Sequence, residues 1–473
     1  MEQTIQLIIF FGLTSLVGII TYLKCRKITR DSSDSKDYFL AGGGLSWVVV
    51  AGSLMMTNIS AEQIVGMNGA QTLLVAWWEI AAAIGLIILA KWLIPIYYKY
   101  NCTTTTELLE RKYQDKGIRA MVSILFMLGY AFILLPVVLY TGSLFMKSMF
   151  GLSISVTFLA IIFAVVGAVY AIFGGLRAIA ISDSLNGVGL LVMGVIVSYL
   201  ALNAVNWDLT GIPIERITLV GDTQSDIPWH TLLTGMIFIQ IFYWGTNMVI
   251  TQRALAAKSV KEAQKGLYAA VVMKLIIPII VVLPGLVAFK LYGDVGDVAY
   301  GKLVGDILPS WMSGAFAAVM AGAVLSSFNS CLNSAAALYT CDIHQNYVNS
   351  NADVRKIGTR VALVFTLISL CLVPIFAQSS SIISLLQQLN GLYSMPVLAA
   401  FICALAFKDV NAKAIKIGLV FGVVVYAVFT FVWSPLHFIH MMAITLAATI
   451  LVTLALSKLI FGPQTASGQL ISD

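Results

Sequence analysis

Residues 46–70 read SWVVVAGSLMMTNISAEQIVGMNGA. The stretch is long enough to cross a bilayer as a helix, since about 20 mostly apolar residues span the hydrocarbon core. Its middle is nevertheless polar: Thr57, Asn58, Ser60, Glu62 and Gln63 interrupt the apolar run, and Gly66 and Gly69 follow. Short polar side chains compete with the helix for backbone hydrogen bonds. Irregular backbone at membrane depth survives only where protein or a polar cavity surrounds it. The stretch therefore predicts a discontinuous membrane helix whose freed carbonyls and amides can bind an ion and a polar solute.

The remainder of the chain is consistent with this. Of 473 residues, 59% are hydrophobic and 11% charged, against about a quarter charged in an ordinary soluble protein. The hydropathy pattern predicts an all-α integral membrane protein with about thirteen spans, at roughly 3–23, 46–70, 72–97, 118–148, 153–173, 180–203, 229–252, 267–291, 310–341, 358–377, 381–407, 413–434 and 437–461. The first run has Glu2 before it and Lys24, Arg26 and Lys27 after it, the reverse of a cleavable signal peptide, and is read as a retained helix. Basic residues gather in alternate loops: 24–36, 99–119, Arg177, 253–265, 355–360, 408–416 and Lys458. Positive residues mark the cytoplasmic side. The expected topology in the cell (inner) membrane puts the amino terminus outside and the tail, 467–473, inside.

Several classes of function find no support. The six cysteines are scattered without a C-x-x-C pair, and His437 and His440 alone are too few ligands for a metal site. No phosphate-binding loop, dinucleotide fingerprint, zinc-protease motif or nucleophile elbow occurs, and no nucleophile–base pair suggests an enzyme. The net charge of +6 follows from topology and calls for no nucleic-acid partner.

Polar groups inside spans are costly, roughly 2.5–3.5 kcal/mol for a charge at a helix centre, and usually functional. Glu62, Glu79, Asp183 and Lys274 all fall within spans or at their ends. Lys274 lies deep between apolar neighbours and needs an internal partner. The seventh span holds Gln240, Tyr243, Trp244 and Asn247 with Gly245 as a second break, and the eleventh has an interruption at Gln387, Gln388, Asn390 and Gly391 followed by Pro396. The ninth carries Ser326 and Ser327, with Asn329, Asn333 and Ser334 beyond. Ser, Asn and Gly also serve helix packing, and Lys274 with Glu79 could be a purely structural ion pair. Taken together, carboxamides, a lysine and paired serines suit a neutral polyhydroxylated solute plus a hard cation, because sugar hydroxyls need donors and acceptors and sodium needs oxygen. No arginine is expected mid-span, which disfavours a carboxylate solute. Two sets of five spans, each starting with a broken helix, point to the LeuT-type inverted repeat. The corresponding division is 1–45, 46–205, 206–410 and 411–473.

Longer motifs carry a resemblance. Asp37-Tyr38-Phe39-Leu40-Ala41-Gly42, Asn58-Ile59-Ser60-Ala61-Glu62-Gln63, Gly174-Gly175-Leu176-Arg177-Ala178 with Asp183, and above all Tyr243-Trp244-Gly245-Thr246-Asn247 running through Gln252-Arg253-Ala254-Leu255-Ala256-Ala257-Lys258-Ser259 are its marks. Across nearly the whole chain the sequence resembles the sodium:solute symporter family, in its sodium/glucose and sodium/galactose branch, most of all uncharacterised bacterial symporters. The resemblance implies a sugar site of Gln63, Glu79, Gln240, Lys274 and Gln387, with Tyr243 stacking on the sugar ring as inner gate and Asn247 fixing Tyr243. It implies a sodium site from the carbonyls of Met56, Ile59 and Ala323 and the hydroxyls of Ser326 and Ser327, with Asp183 on the sodium exit route or in a second site.

Departures from the family pattern bear on these roles. Gln240 stands where characterised sugar transporters have asparagine, Met248 replaces a glutamine, and the stretch between Gln63 and Glu79 is shorter by about three residues, which bears on the register of Glu79. Asn329 stands where two-sodium members place a hydroxyl, so one sodium per cycle is favoured. The expected function is sodium-driven sugar import by alternating access, with the monomer as functional unit in its lipid bilayer. The alternatives are another neutral solute such as inositol, sialic acid, or a non-transporting sugar sensor. A sensor would lack the paired serines or carry a signalling domain.

Overall fold

The computed structural model describes residues 2–25, 38–379 and 381–462. Asp37 of the first motif, most of the basic loop expected at 24–36 and the expected tail at 467–473 lie outside the described residues. Among the described residues the chain is helical, with only two isolated β-bridges.

Among the described residues nine helices are long and apolar enough to cross a membrane, and two bent pairs bring that to eleven. In chain order the main elements are α1 (Glu2–Cys25), α2 (Trp47–Asn58), α3 (Ala61–Gly69), α4 (Leu73–Lys99), α5 (Lys116–Phe150), α6 (Val156–Ala204), α7 (Gly235–Gly245), α8 (Met248–Leu255), α9 (Val260–Ile276), α10 (Pro278–Tyr292), α11 (Ser310–Tyr347), α12 (Val354–Phe376), α13 (Ile382–Ala406), α14 (Ala412–Phe431) and α15 (Phe438–Phe461).

The polar block of the opening stretch does break its helix. α2 and α3 meet at 49°, with Ile59 and Ser60 out of helical geometry (φ −81°, ψ 75° and φ −106°, ψ −176°). The second break falls at Thr246 and Asn247, where extended Asn247 caps α8 through its own side chain. A third bend, 43° between α9 and α10, was not expected. Pro278 opens the second half and cannot supply the N–H a continuous helix would use. Lys274 therefore sits in the last turn before a bend.

Three expectations need correcting. The eleventh span is not interrupted: α13 runs unbroken through Gly391 and Pro396. Its glycine serves close approach, because a Cβ at Gly391 would stand 2.1 Å from Tyr426 Cζ. The fifth and sixth spans have no non-helical loop between them, since Val156–Ala204 is helical throughout. Gly167 and Asn186 would be about 28 Å apart on a straight rod, yet they touch Asn329 and Gly322, two turns apart on α11. The helix is thus bent between its halves, and both halves flank α11. Finally, Arg253 does not belong to a solvated basic loop: it is fully buried.

The core centres on α11, against which α6, α1, α12 and α5 pack. Gly142 of α5 meets Val324 and Gly314 of α11 meets Gln6 of α1, each too close to admit a side chain. Small residues let the helices approach so closely, as is usual where lipid supplies no hydrophobic drive between helices.

Candidate solute and sodium sites

At the first break a small cavity opens, lined from α2 and α3 by Asn58, Glu62 and Gln63, from α4 by Trp78 and Glu79, from α7 by Gln240, Tyr243 and Trp244, and by Lys274, Gln387 and Asn390. Its polar residues form a linked network. Gln63 Nε2 donates to Glu79 Oε1, and Lys274 Nζ donates to both Glu79 Oε2 and Asn58 Oδ1. Asn58 Nδ2 in turn donates to Tyr243 Oη at 3.2 Å. Lys274 is fully buried and Glu79 nearly so; a charge so placed persists only when paired and hydrogen-bonded. The Lys274 ammonium also lies 5.2 Å from the centre of the Trp244 ring. Glu79 reaches the site although its connection to Gln63 is short: 73–76 fold as one tight helical turn that delivers α4 directly to α3.

Gln63, Glu79, Lys274, Tyr243, Gln240 and Gln387 are thus brought together. Asn247 is not among them. It caps α8, its Oδ1 accepting from Val249 N at 3.3 Å and from Tyr130 Oη at 2.7 Å. The hydrogen bond to Tyr243 comes instead from Asn58, a residue the motif contains but whose hub position only the fold reveals.

Beside the cavity, the same break approaches α11. In a continuous helix Ser60 N–H would serve Met56; here it turns to Asn58 O at 2.9 Å. Ser327 Oγ lies 3.5 Å from Met56 O and 3.4 Å from Thr57 O. Ala323 sits one turn before Ser327 and Ile59 just past the break, and both are buried. Ser326 lies beside Asp183, yet its hydroxyl is buried without a completed hydrogen bond. Asp183 Oδ2 accepts from Ser53 Oγ at 2.9 Å. The Met56 and Thr57 carbonyls with the Ser327 hydroxyl are oxygen groups of the kind that coordinate a hard monovalent cation at an unwound helix. The carbonyl of Thr57 was missed in the sequence reading. Arg253, with Nη1 on Val249 O at 2.8 Å and Nη2 on Ser330 Oγ, lies outside the cavity lining.

A model of the sodium:solute symporter family matches residues 38–422. The chain belongs to that family. It is 36% identical over 480 residues to the uncharacterized symporter YidK of Escherichia coli, with 96% of this chain and 84% of that one covered. It is 32% identical over 465 residues to a sodium/glucose cotransporter of Vibrio parahaemolyticus (90% and 85% covered), and 28% identical over 464 residues to sodium/myo-inositol cotransporter 2 of Mus musculus (88% and 68%). Among solved structures, a Na+-coupled sialic acid symporter in a substrate-bound outward-open state matches with a TM-score of 0.84 over 98% of this chain and 99% of that one, at 19% identity; that likeness is one of fold. The protein is a multi-pass membrane transporter of LeuT-type architecture, a sodium:solute symporter and not an enzyme.

Proposed function

We propose that the protein imports a neutral polyhydroxylated solute, a galactose- or glucose-like sugar, by sodium symport. The observation that carries this reading is the Gln63–Glu79–Lys274–Asn58–Tyr243 network. It offers carboxylate acceptors, ammonium and carboxamide donors, and an aromatic face within one cavity, the mixture that vicinal hydroxyls need. Gln387 completes the wall, and Tyr243, tied to Asn58, is the inner gate. Lys274 is already neutralised by Glu79 and the buried arginine lies elsewhere, so a carboxylate solute such as sialic acid finds no free cation among the cavity residues.

Sodium is carried at the first break, by the carbonyls of Met56, Thr57, Ile59 and Ala323 and the hydroxyls of Ser326 and Ser327, with Asp183 on its way out. One sodium per cycle is favoured. Because Met56, Thr57 and Asn58 are consecutive, sodium at the carbonyls also orients the carboxamide that holds Lys274 and Tyr243. Both ligands then favour the same state, as coupling demands. The amino terminus is placed outside and the carboxyl terminus in the cytoplasm, with repeats at 46–205 and 206–410 and a monomer as the working unit. An inositol is the second reading, favoured by the likeness to a sodium/myo-inositol cotransporter.

The test is uptake of labelled galactose, glucose and myo-inositol into proteoliposomes with and without an inward sodium gradient. Sodium-dependent accumulation of galactose or glucose is expected; accumulation of myo-inositol alone selects the second reading. Accumulation of none by a folded protein overturns both.

A further inference from the structure

The carboxamide of Gln240 is bonded at both ends within the protein. Its Nε2 donates to Trp78 O at 2.9 Å, and its Oε1 accepts from Trp244 Nε1 at 3.1 Å. These partners also settle the amide's orientation. An indole N–H only donates and a carbonyl only accepts, so the flipped amide would lose both bonds. The surrounding backbone leaves little room: a Cβ at Gly85 of α4 would stand 2.3 Å from Gln240 O and 2.9 Å from Trp244 Cδ1. Trp244, 1% exposed, is thereby held with its ring toward Lys274. A solute hydroxyl that displaced either of these bonds would leave the Trp78 carbonyl or the Trp244 indole without this partner, a cost comparable to what the new bond returns.

We propose that Gln240 is a positioning residue: it fixes the Trp244 indole beneath Lys274 and so determines which solutes the cavity accepts. Where the family resemblance implies a shorter asparagine facing the solute, the longer arm of Gln240 reaches across the α4–α7 contact to the Trp78 carbonyl. The proposal rests on the symport reading above for its substrate class.

The experiment is a double-mutant cycle of Gln240→Leu and Trp244→Phe, with Gln240→Asn alongside, in proteoliposomes under a sodium gradient with labelled galactose, glucose and myo-inositol. Each single variant is expected to raise the half-saturating solute concentration about ten-fold, the worth of one buried hydrogen bond, and to alter the competition order among the three solutes in the same way. The double variant is expected to be no worse than either, because both remove one interaction. Gln240→Asn, too short to reach Trp78, is expected to behave like Gln240→Leu. Multiplying effects in the double variant, or wild-type behaviour of Gln240→Asn, would overturn the proposal. A second readout needs no transport: the indole N–H resonance of Trp244, identified by its absence from Trp244→Phe, is expected to shift in Gln240→Leu, and an unmoved resonance overturns the positioning role. Absence of uptake by the wild type would count against the symport reading, while the indole resonance still decides this one.

Discussion

The two broken helices treat their freed carbonyls in opposite ways. At the α7–α8 break, fixed protein donors take them: Tyr97 Oη reaches Gly245 O at 3.0 Å and Thr251 Oγ1 reaches Trp244 O at 3.3 Å. Asn247 caps the helix that follows. At the α2–α3 break the Ser327 hydroxyl reaches Met56 O and Thr57 O only at the edge of hydrogen-bond range, 3.5 Å and 3.4 Å. Buried backbone groups are seldom left without partners, which supports our proposal that the poorly satisfied break is the one that takes a ligand. The other is a structural joint that aims Gln240, Tyr243 and Trp244 into the cavity. The start of α7 is also pinned, since His230 Nδ1 meets His440 Nε2 at 2.6 Å and Thr234 Oγ1 meets His440 Nδ1 at 2.9 Å.

The contrast can be broken or sharpened by substitution. The largest effect is expected at the ligand-facing break. Lys274→Ala leaves Glu79 buried and unpaired, which costs about 3–5 kcal/mol, and should raise the half-saturating sugar concentration about a hundred-fold or more in an uptake assay. An unchanged value would reduce Lys274 to a structural role. At the structural joint, Asn247→Ala should lower stability by about 1–2 kcal/mol through loss of the cap and of the bond from Tyr130. Its half-saturating sodium concentration should stay within two-fold or so of wild type. Tyr97→Phe removes one hydrogen bond to a buried carbonyl and should cost about 1 kcal/mol, read as a lowered thermal midpoint, again with sodium activation intact. A sodium defect in either variant would erase the distinction between the breaks.

The smallest effect concerns pH. His437 caps α15 and its Nε2 faces Asp226 O at 3.1 Å; burial pulls its pKa from 6.5 down to about 4. Between those values the unfolded chain binds the extra proton, so this contribution to stability is present above pH 6.5 and is lost as pH falls toward 4. His437→Gln should flatten that part of the profile of thermal midpoint against pH.

Much of this was legible in the sequence because the membrane makes polarity conspicuous. Asn58, Ser60 and Gln63 stand out inside an apolar run, and Lys274 inside another, so both the first break and the buried lysine could be read directly. What was not legible depends on neighbours distant in the chain. Gly391 and Pro396 look like a break but accommodate Tyr426 and α14. Arg253 opens a basic stretch and looks solvated, until Ser330 and the Val249 carbonyl enclose it. Gln240 reads as a polar group of the site, but its bond to the Trp78 carbonyl needs α4 packed against α7. Pro278 was visible, but a proline in a membrane helix does not by itself announce a bend of 43°. Asn247 carries a recognisable motif, yet its partner proves to be Tyr130 rather than Tyr243.

The central claim, that the α2–α3 break with Ser327 holds the transported sodium, is tested most directly by binding of radioactive sodium to the purified protein without solute. Ser327→Ala should weaken binding about ten-fold or more, as expected for losing an oxygen that contacts a charge, whereas Tyr97→Phe should bind as wild type does. Wild-type sodium binding by Ser327→Ala, in protein that is folded, would contradict the account.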